Sequence, residues 1–412
     1  MKVVVTALFG VESVVADELV ALGYPREKIS VSDAQIVLDP GSQAEAAIAI
    51  ARANVWLRTG ERVLASLGSF TAHDFDALFD QTKVMPWEEW IPKGAEFIVN
   101  GYSRKSTLFG IPSCQRIIKK AIVARLLKAS GLSEQATLPE EASIGSVRIQ
   151  FSIVADEVTF MVDTSGDGLH KRGYRPLRHE APIRETLAAA MLHLSRYQPQ
   201  SDEVLFDPFC GSGTIPIEAA MIATRTAPGR LRRFSGENWP LVGQNAFARA
   251  REEARDLYRV PDRDLPFIFG TDIEPAAIKT AAENAARAGM SDLIHFETAD
   301  AMTLSADRMK ALTGFERFLV IGNPPYGERM LDFQQANDLV VGIGQTFCEK
   351  GKARQDLRLS LISPEDGFER LVGGQADKRR KLYNGMIKCT MYHYFRHHFN
   401  PNTMNDRRRE QT

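Results

Sequence analysis

Cysteine is scarce: four in 412 residues, at positions 114, 210, 348 and 389, with no Cys-x-x-Cys pair. That spacing suggests neither a zinc site nor a disulfide framework, and it fits a reducing, cytoplasmic location. Long apolar runs are missing too. None approaches the ~18 residues needed to cross a bilayer, so no membrane partner is expected. The apolar start, Met1 to Leu8, is cut short by Glu12, Asp17 and Glu18, and no small-residue cleavage site follows. It reads as a buried strand leading into an amphipathic helix, not as a signal peptide. There are no internal repeats and no low-complexity tract. His393, His397 and His398 have no partnering acids, so no metal is expected. The net charge of −1 gives no global pull toward nucleic acid. One absence is local. From Phe97 to Ser133 there is no Asp or Glu, while Arg104, Lys105, Arg116, Lys119, Lys120, Arg125 and Lys128 all fall inside. This predicts a basic face, a footprint for nucleic acid on an otherwise balanced chain.

What is present divides in two. Residues 3–8 read as a strand, Val11–Leu22 as a helix ended by Gly23, Ile36–Leu38 as a strand and Gln43–Leu57 as a helix, the alternation of a small ferredoxin-like unit. A short helix at Asp74–Phe79, a strand at Glu96–Gly101 and a helix at Ser113–Leu127 follow. On that last helix Arg116, Lys119 and Lys120 share a surface at i, i+3, i+4 spacing, and Ile117, Ile118, Ala121 and Ile122 supply the apolar side. Val147–Val154 and Val158–Asp163 alternate like a hairpin. After a glycine-bearing linker the pattern becomes strand, loop, helix, with strands at Val204–Phe206, Phe267–Phe269, Leu293–Phe296, Phe318–Ile321, Arg358–Ile362 and Lys388–Tyr394. That is the pattern of a doubly wound α/β domain. The run Lys378–Lys381 reads first as a solvated loop and second as a nucleic-acid contact; Arg407–Arg409 reads as a solvated tail.

Three strand ends carry the pieces of a nucleotide-type site. Asp207-Pro208-Phe209-Cys210-Gly211-Ser212-Gly213-Thr214 links a strand to a helix, and its glycines let a ligand approach the backbone. The dinucleotide fingerprint fits poorly, because Pro216 stands where its third glycine belongs and no acid follows ~20 residues on. Asp272 ends the next strand, where a carboxylate can take both hydroxyls of a ribose. It could equally cap the helix that Pro275 opens. Asp300 ends the third strand and can accept a hydrogen bond from an adenine amine, or serve as a plain loop acid. Downstream, Asn323-Pro324-Pro325-Tyr326 follows a fourth strand. The Asn323 side-chain carbonyl and the Pro324 backbone carbonyl can accept two N–H bonds from an exocyclic amine and aim its lone pair at a methyl sulfonium. Tyr326 could stack on the base or cover it.

These motifs resemble those of class I S-adenosylmethionine-dependent RNA methyltransferases that carry an N-terminal THUMP domain. The likeness spans nearly the whole chain. It includes Leu8-Phe9-Gly10-Val11-Glu12, Cys114-Gln115-Arg116, His170–Arg175, Ala181–Leu187, Ile217–Ala220, Asn323–Arg329 and Lys381-Leu382-Tyr383-Asn384-Gly385. It is nearest to the guanine-N2 methyltransferase half of the bacterial 23S rRNA enzyme and to its stand-alone relatives. The resemblance implies a ferredoxin-like domain over 1–65 and a THUMP RNA-binding domain over 66–162, interleaved near 45–65. It then implies a linker at 163–180 and a Rossmann-like methyltransferase domain over 181–412. It implies S-adenosylmethionine as cofactor, held by Asp207, Pro208, Cys210, Gly211, Gly213, Thr214, Asp272, Ile273, Asp300 and Ala301. Asn323, Pro324, Pro325 and Tyr326 would hold the target amine, and Arg104, Lys105, Arg116, Lys119 and Lys120 the RNA. Phe209 stands where the family's first motif commonly has Met. The expected reaction is transfer of methyl to guanine N2 in 23S rRNA. A tRNA guanine, the adenine N6 of DNA, a protein glutamine and a non-catalytic assembly factor are the alternatives. Oligomeric state is left open.

Overall fold

The structure is a computed structural model that describes residues 1–133, 135–138, 141, 146–175, 183–239, 241–326 and 333–396. Ala181, Pro182, Gly327–Arg329, His397, His398 and Arg407–Arg409, singled out above, lie outside the described residues. The chain divides into two compact units. The first is Met1–Ala7, Glu12–Arg172 and Ala227–Leu257; the second is Leu8–Val11, Gly173–Thr226 and Tyr258–Thr412.

In chain order the first half forms β1 (Lys2–Ala7), α1 (Glu12–Ala21), β2 (Ile29–Ser32), β3 (Gln35–Leu38), α2 (Gln43–Trp56), β4 (Gly60–Thr71) and α3 (Phe75–Val84). β5 (Glu96–Arg104), α4 (Ile111–Ala129), β6 (Ser146–Val154) and β7 (Glu157–Asp163) follow. The second half forms α5 (Glu185–Leu194), β8 (Val204–Asp207), α6 (Thr214–Ala223), α7 (Gly243–Asp256), β9 (Ile268–Asp272), α8 (Pro275–Ala288), β10 (Ile294–Thr298) and α9 (Ala306–Thr313). It continues with β11 (Phe318–Gly322), α10 (Phe333–Phe347), β12 (Cys348–Glu349), β13 (Lys352–Ala353), β14 (Leu357–Ser363), α11 (Phe368–Val372), β15 (Lys378–Asn384) and β16 (Ile387–Tyr394).

In the first unit one seven-stranded sheet, ordered β2-β3-β1-β4-β7-β6-β5, carries strands from both of the expected N-terminal domains, 1–65 and 66–162. All its pairings are antiparallel except β5 with β6. β4 joins the halves by pairing with β1 on one side and β7 on the other. The sequence reading passed over this strand, because Gly60 and Gly68 interrupt its alternation and Gly68 sits at a register shift. The β6–β7 hairpin turns on Ala155 and Asp156, both with positive φ, as a tight two-residue turn requires. Ser42 and Glu45 form a capping box that starts α2, and Asp74 caps α3. Ala227–Leu257, which the expectation placed with the methyltransferase segment, groups with this first unit. Its α7 packs on α2, where Arg52 forks onto Glu253 at 2.8 and 2.6 Å. A Cβ at Gly229 would lie 2.7 Å from the Asn54 carbonyl oxygen, so only glycine allows that close approach.

The second unit is a seven-stranded sheet ordered β10-β9-β8-β11-β14-β16-β15. Its first five strands run parallel, and β16 is antiparallel to both β14 and β15. The central strands are buried throughout, the near-continuous apolar runs of a sheet covered on both faces. The reading of Lys378–Lys381 as a solvated loop is corrected here: those residues begin the edge strand β15. Consecutive cations hide the strand period, yet lysine and arginine suit an edge that must not pair further. Among the described residues, no helix is long and apolar enough to cross a membrane.

Candidate active site

The strand order puts the C-terminal ends of β10, β9, β8 and β11 side by side, the edge at which open α/β sheets bind ligands. The predicted cofactor residues converge there. Asp207 ends β8, fully buried, and its Oδ1 accepts the Phe209 N–H at 3.1 Å. Burial pushes its carboxyl well above the usual carboxylate range. Pro208 is buried beside it, and the Cys210 N–H donates to the Thr271 carbonyl at 2.9 Å, tying the loop to β9. Burial, with Asp207 and Asp272 nearby, drives the Cys210 thiol up, so it stays protonated. Gly211 and Gly213 have φ of +51° and +81°. A Cβ on Gly211 would meet open space, whereas one on Gly213 would sit 3.0 Å from both Ala281 and Phe296. The first glycine thus leaves room for a ligand and the second lets α6 pack. Thr214 begins α6.

Asp272 is half-buried. Its Oδ2 accepts the Gly211 N–H at 2.9 Å and its Oδ1 the Glu274 N–H at 3.0 Å. Each oxygen keeps a lone pair, so the carboxylate can still receive two hydroxyls. It clamps the glycine loop and bonds the Glu274 N–H, but the N-cap of α8 is Glu274 and carries no side-chain cap, so Asp272 does not cap the helix; free lone pairs leave it able to accept from a ligand. Ile273 is 62% exposed, an apolar side chain facing outward at a strand end. Thr298 pairs with Asp272 across β10 and β9, and just beyond it Asp300 caps a short turn, accepting the Met302 N–H at 2.9 Å; Ala301 is buried.

Gly322 ends β11. A Cβ there would come within 3.1 Å of Phe209 and 3.5 Å of Asp207 Oδ1, so the end of β11 lies against the glycine loop. Asn323 follows. Its Oδ1 is buried with no hydrogen-bond partner among the described residues, a state that costs free energy unless a donor arrives. Pro324 is buried, and Pro325 and Tyr326 are half-buried. Tyr326 Oη accepts from Asn384 Nδ2 at 2.7 Å, and burial raises the phenol above its ordinary pKa, so it stays neutral.

Sequence reasoning missed three neighbours. Arg175 forms an ion pair with the buried Glu185 at 2.6 Å and reaches Thr214 Oγ1 at 3.4 Å. Asn284 Nδ2 donates to the Ser212 carbonyl at 3.0 Å. Asn384 is the third. For Asn284 the signal was a polar residue on the apolar face of α8; Arg175 and Asn384 stood only within the family likeness, and no local pattern paired them with Glu185 or Tyr326.

The basic residues lie in the first unit. Arg104 and Lys105 stand at and just after the end of β5, and Arg116, Lys119 and Lys120 on α4; all are exposed. The Lys119 and Lys120 ammonium groups lie 5.6 and 5.7 Å from the Phe97 and Phe79 rings. Arg125 drops out of the basic face, since it is paired with Glu88 at 2.5 Å.

Residues 172–393 match the family model described as an RMKL-like methyltransferase domain. The chain belongs to this family. Residues 2–64 match the model described as the RlmL ferredoxin-like domain, and 72–163 match a THUMP domain. The chain is 38% identical over 393 residues to a putative RNA methyltransferase of Bacillus subtilis, covering 95% of each. It is 31% identical to a ribosomal RNA large subunit methyltransferase K/L of Syntrophotalea carbinolica, but spans about half of that relative's length (53%). Among solved structures, a Listeria monocytogenes protein described as a predicted N6-adenine-specific DNA methylase matches at 39% identity and TM-score 0.81, covering 96% of each chain. SMU.472, a putative methyltransferase in complex with SAH, matches at 34% identity and TM-score 0.81, covering 97% and 99%. This RMKL-like methyltransferase uses S-adenosylmethionine. The open side of Gly211, the remaining lone pairs of Asp272 and the exposed Ile273 fit that group.

Proposed function

We propose that this RMKL-like protein methylates RNA at the exocyclic N2 of a guanine in the large-subunit ribosomal RNA. The observation that carries the reading is the buried Asn323 Oδ1, without a hydrogen-bond partner among the described residues, at the strand end beside Gly322. A planar amine with two N–H groups supplies the missing donor. Asn323 Oδ1 takes one hydrogen and the Pro324 carbonyl the other. S-adenosylmethionine, when bound, supplies an electrophilic methyl on a sulfonium. The two carbonyl oxygens orient the amine lone pair and stabilise the positive charge that grows on nitrogen, so their contribution is positioning and electrostatics. As the N–C bond would form, the S–C bond would break to leave S-adenosylhomocysteine, and the amine proton, now acidic, would pass to solvent water, so no dedicated base is required. Asp207 and the glycine loop would hold the amino-acid portion of the donor. Asp272 would take its ribose hydroxyls, with Ile273 against the adenine face and Asp300 at the adenine amine. Arg104, Lys105, Arg116, Lys119 and Lys120 would grip phosphates, which position RNA without reading its sequence.

The RNA substrate is favoured by the basic α4 surface and by the name of the Bacillus relative; the ribosomal target rests on the name of the longer K/L relatives. The test is transfer of labelled methyl from S-adenosylmethionine to bacterial RNA from cells lacking the protein, followed by nucleoside analysis. Label in N2-methylguanosine of the 23S fraction is expected. Label in tRNA would change the substrate, and label in N6-methyladenosine would overturn the guanine assignment. No transfer to RNA, nor to ribosomal particles tried next, would end the RNA-methyltransferase reading.

A further inference from the structure

We infer that Asn384 is a positioning residue for methyl transfer, holding the Tyr326 ring in place through its hydroxyl. The inference rests on the proposed amine site at Asn323–Tyr326. Topology explains how a residue 58 positions downstream reaches that site. β14 runs parallel to β11, β16 antiparallel to β14, and β15 antiparallel to β16. β15 therefore points the same way as β11, and its C-terminal residue, Asn384, emerges at the sheet edge where the amine loop begins. There Asn384 Nδ2 donates to Tyr326 Oη at 2.7 Å, and the Cys389 thiol lies 3.9 Å from the same oxygen.

The strand that carries Asn384 is itself held. Arg380 Nε donates to the Gly10 carbonyl at 2.8 Å, and a Cβ on Gly10 would lie 2.2 Å from the Lys381 carbonyl oxygen. The Phe9 ring lies 6.0 Å from that of Tyr383, which also carries the Lys381 ammonium at 5.6 Å. Leu8–Val11 belongs to the second unit, so these contacts brace β15 from within it. The bracing matters because Asn384 precedes a turn, at Gly385, whose next residue, Met386, is 98% exposed. The two prolines lock their own φ and so fix the approach to Tyr326, but they leave its side chain free to swing about χ1. An amide donor at its hydroxyl, on a braced strand, holds the far end of the ring in place. The ring then keeps one orientation toward a base whose amine Asn323 receives, and only a well-oriented amine reacts quickly.

The experiment is a double-mutant cycle on the full chain. Asn384→Ala is expected to lower kcat ~10-fold, with the KM for RNA and the affinity for S-adenosylhomocysteine changed less than ~2-fold. Intact S-adenosylhomocysteine binding also reports that the variant folds. Tyr326→Phe removes the hydroxyl through which Asn384 acts, so adding Asn384→Ala to it should cost nothing more. Wild-type kcat in Asn384→Ala overturns the inference. So does a loss that persists undiminished in the Tyr326→Phe background, because Asn384 would then act elsewhere. Asn323→Ala is run alongside. If it loses turnover while the cycle fails, only the role of Asn384 falls; if it keeps turnover, the amine-site reading falls and this inference with it.

Discussion

The two units each hold a seven-stranded sheet, and the difference in strand direction sets what each can present. In the second unit five parallel strands deliver consecutive C-terminal ends to one edge, so Asp207, Asp272, Asp300 and Asn323, far apart in sequence, become neighbours. In the first unit antiparallel pairing sends successive strand ends to opposite edges and gathers no such set. What it presents is surface: exposed cations on α4 and at the end of β5, two of the α4 lysines lying over aromatic rings. A parallel sheet concentrates chemistry at a line of loops, and a mostly antiparallel one displays faces.

Breaking the chemical edge should have the largest effect. Asn323→Ala is expected to cut methyl transfer about a thousandfold by removing an acceptor that acts on the developing charge. Single-turnover rates with saturating RNA measure this; RNA and S-adenosylhomocysteine affinities should be unchanged. The second effect sharpens the comparison through acid. His393 is buried in the second sheet with Ser360 Oγ at 2.9 Å from its Nδ1, and burial, with Lys378 and Arg358 nearby, lowers its pKa to about 4. The unfolded chain takes a proton near pH 6.5 and the folded one does not. The stability this group contributes is therefore fully present above about pH 6.5 and lost as pH falls toward about 4, at most about 3 kcal/mol. Denaturant melts at pH 7 and pH 4.5 should show that loss, and His393→Gln should flatten it.

Asp272→Ala should weaken S-adenosylhomocysteine binding about 30-fold, read by calorimetry, since it removes the expected hydroxyl acceptor and frees the Gly211 N–H it now holds at 2.9 Å. The smallest effect belongs to the display surface. Arg116, Lys119 and Lys120 changed together to Gln should weaken RNA binding about tenfold and reduce the slope of log affinity against log salt by about 2–3. At saturating RNA, kcat should hold. An equal loss of kcat would break the division of labour drawn between the two sheets.

Much of this was legible in the chain. Period and punctuation located β8, β9, β11, α4 and the β6–β7 hairpin, because buried strands, amphipathic helices and a tight turn each write a local pattern. The glycine loop and Asn323–Tyr326 stood out as unusual residues after strands, and the structure sets both at one sheet edge; that they meet the donor and the amine is the proposal. Other parts were not readable. β4 hid behind two glycines, and β15 behind a run of cations. Arg125 read as a free cation until Glu88, 37 positions away, was found beside it.

The sequence by itself determined which residues could do chemistry, and that they stood at strand ends, because local conformation follows from side-chain sterics and periodicity over a few residues. Tertiary structure alone decided who their neighbours are. It set Asn384 against Tyr326, Asp272 against Gly211, and residues 227–257 with the first unit instead of the second. Those are long-range contacts, chosen by the burial of whole faces and the order of strands in a sheet, and no local pattern encodes them.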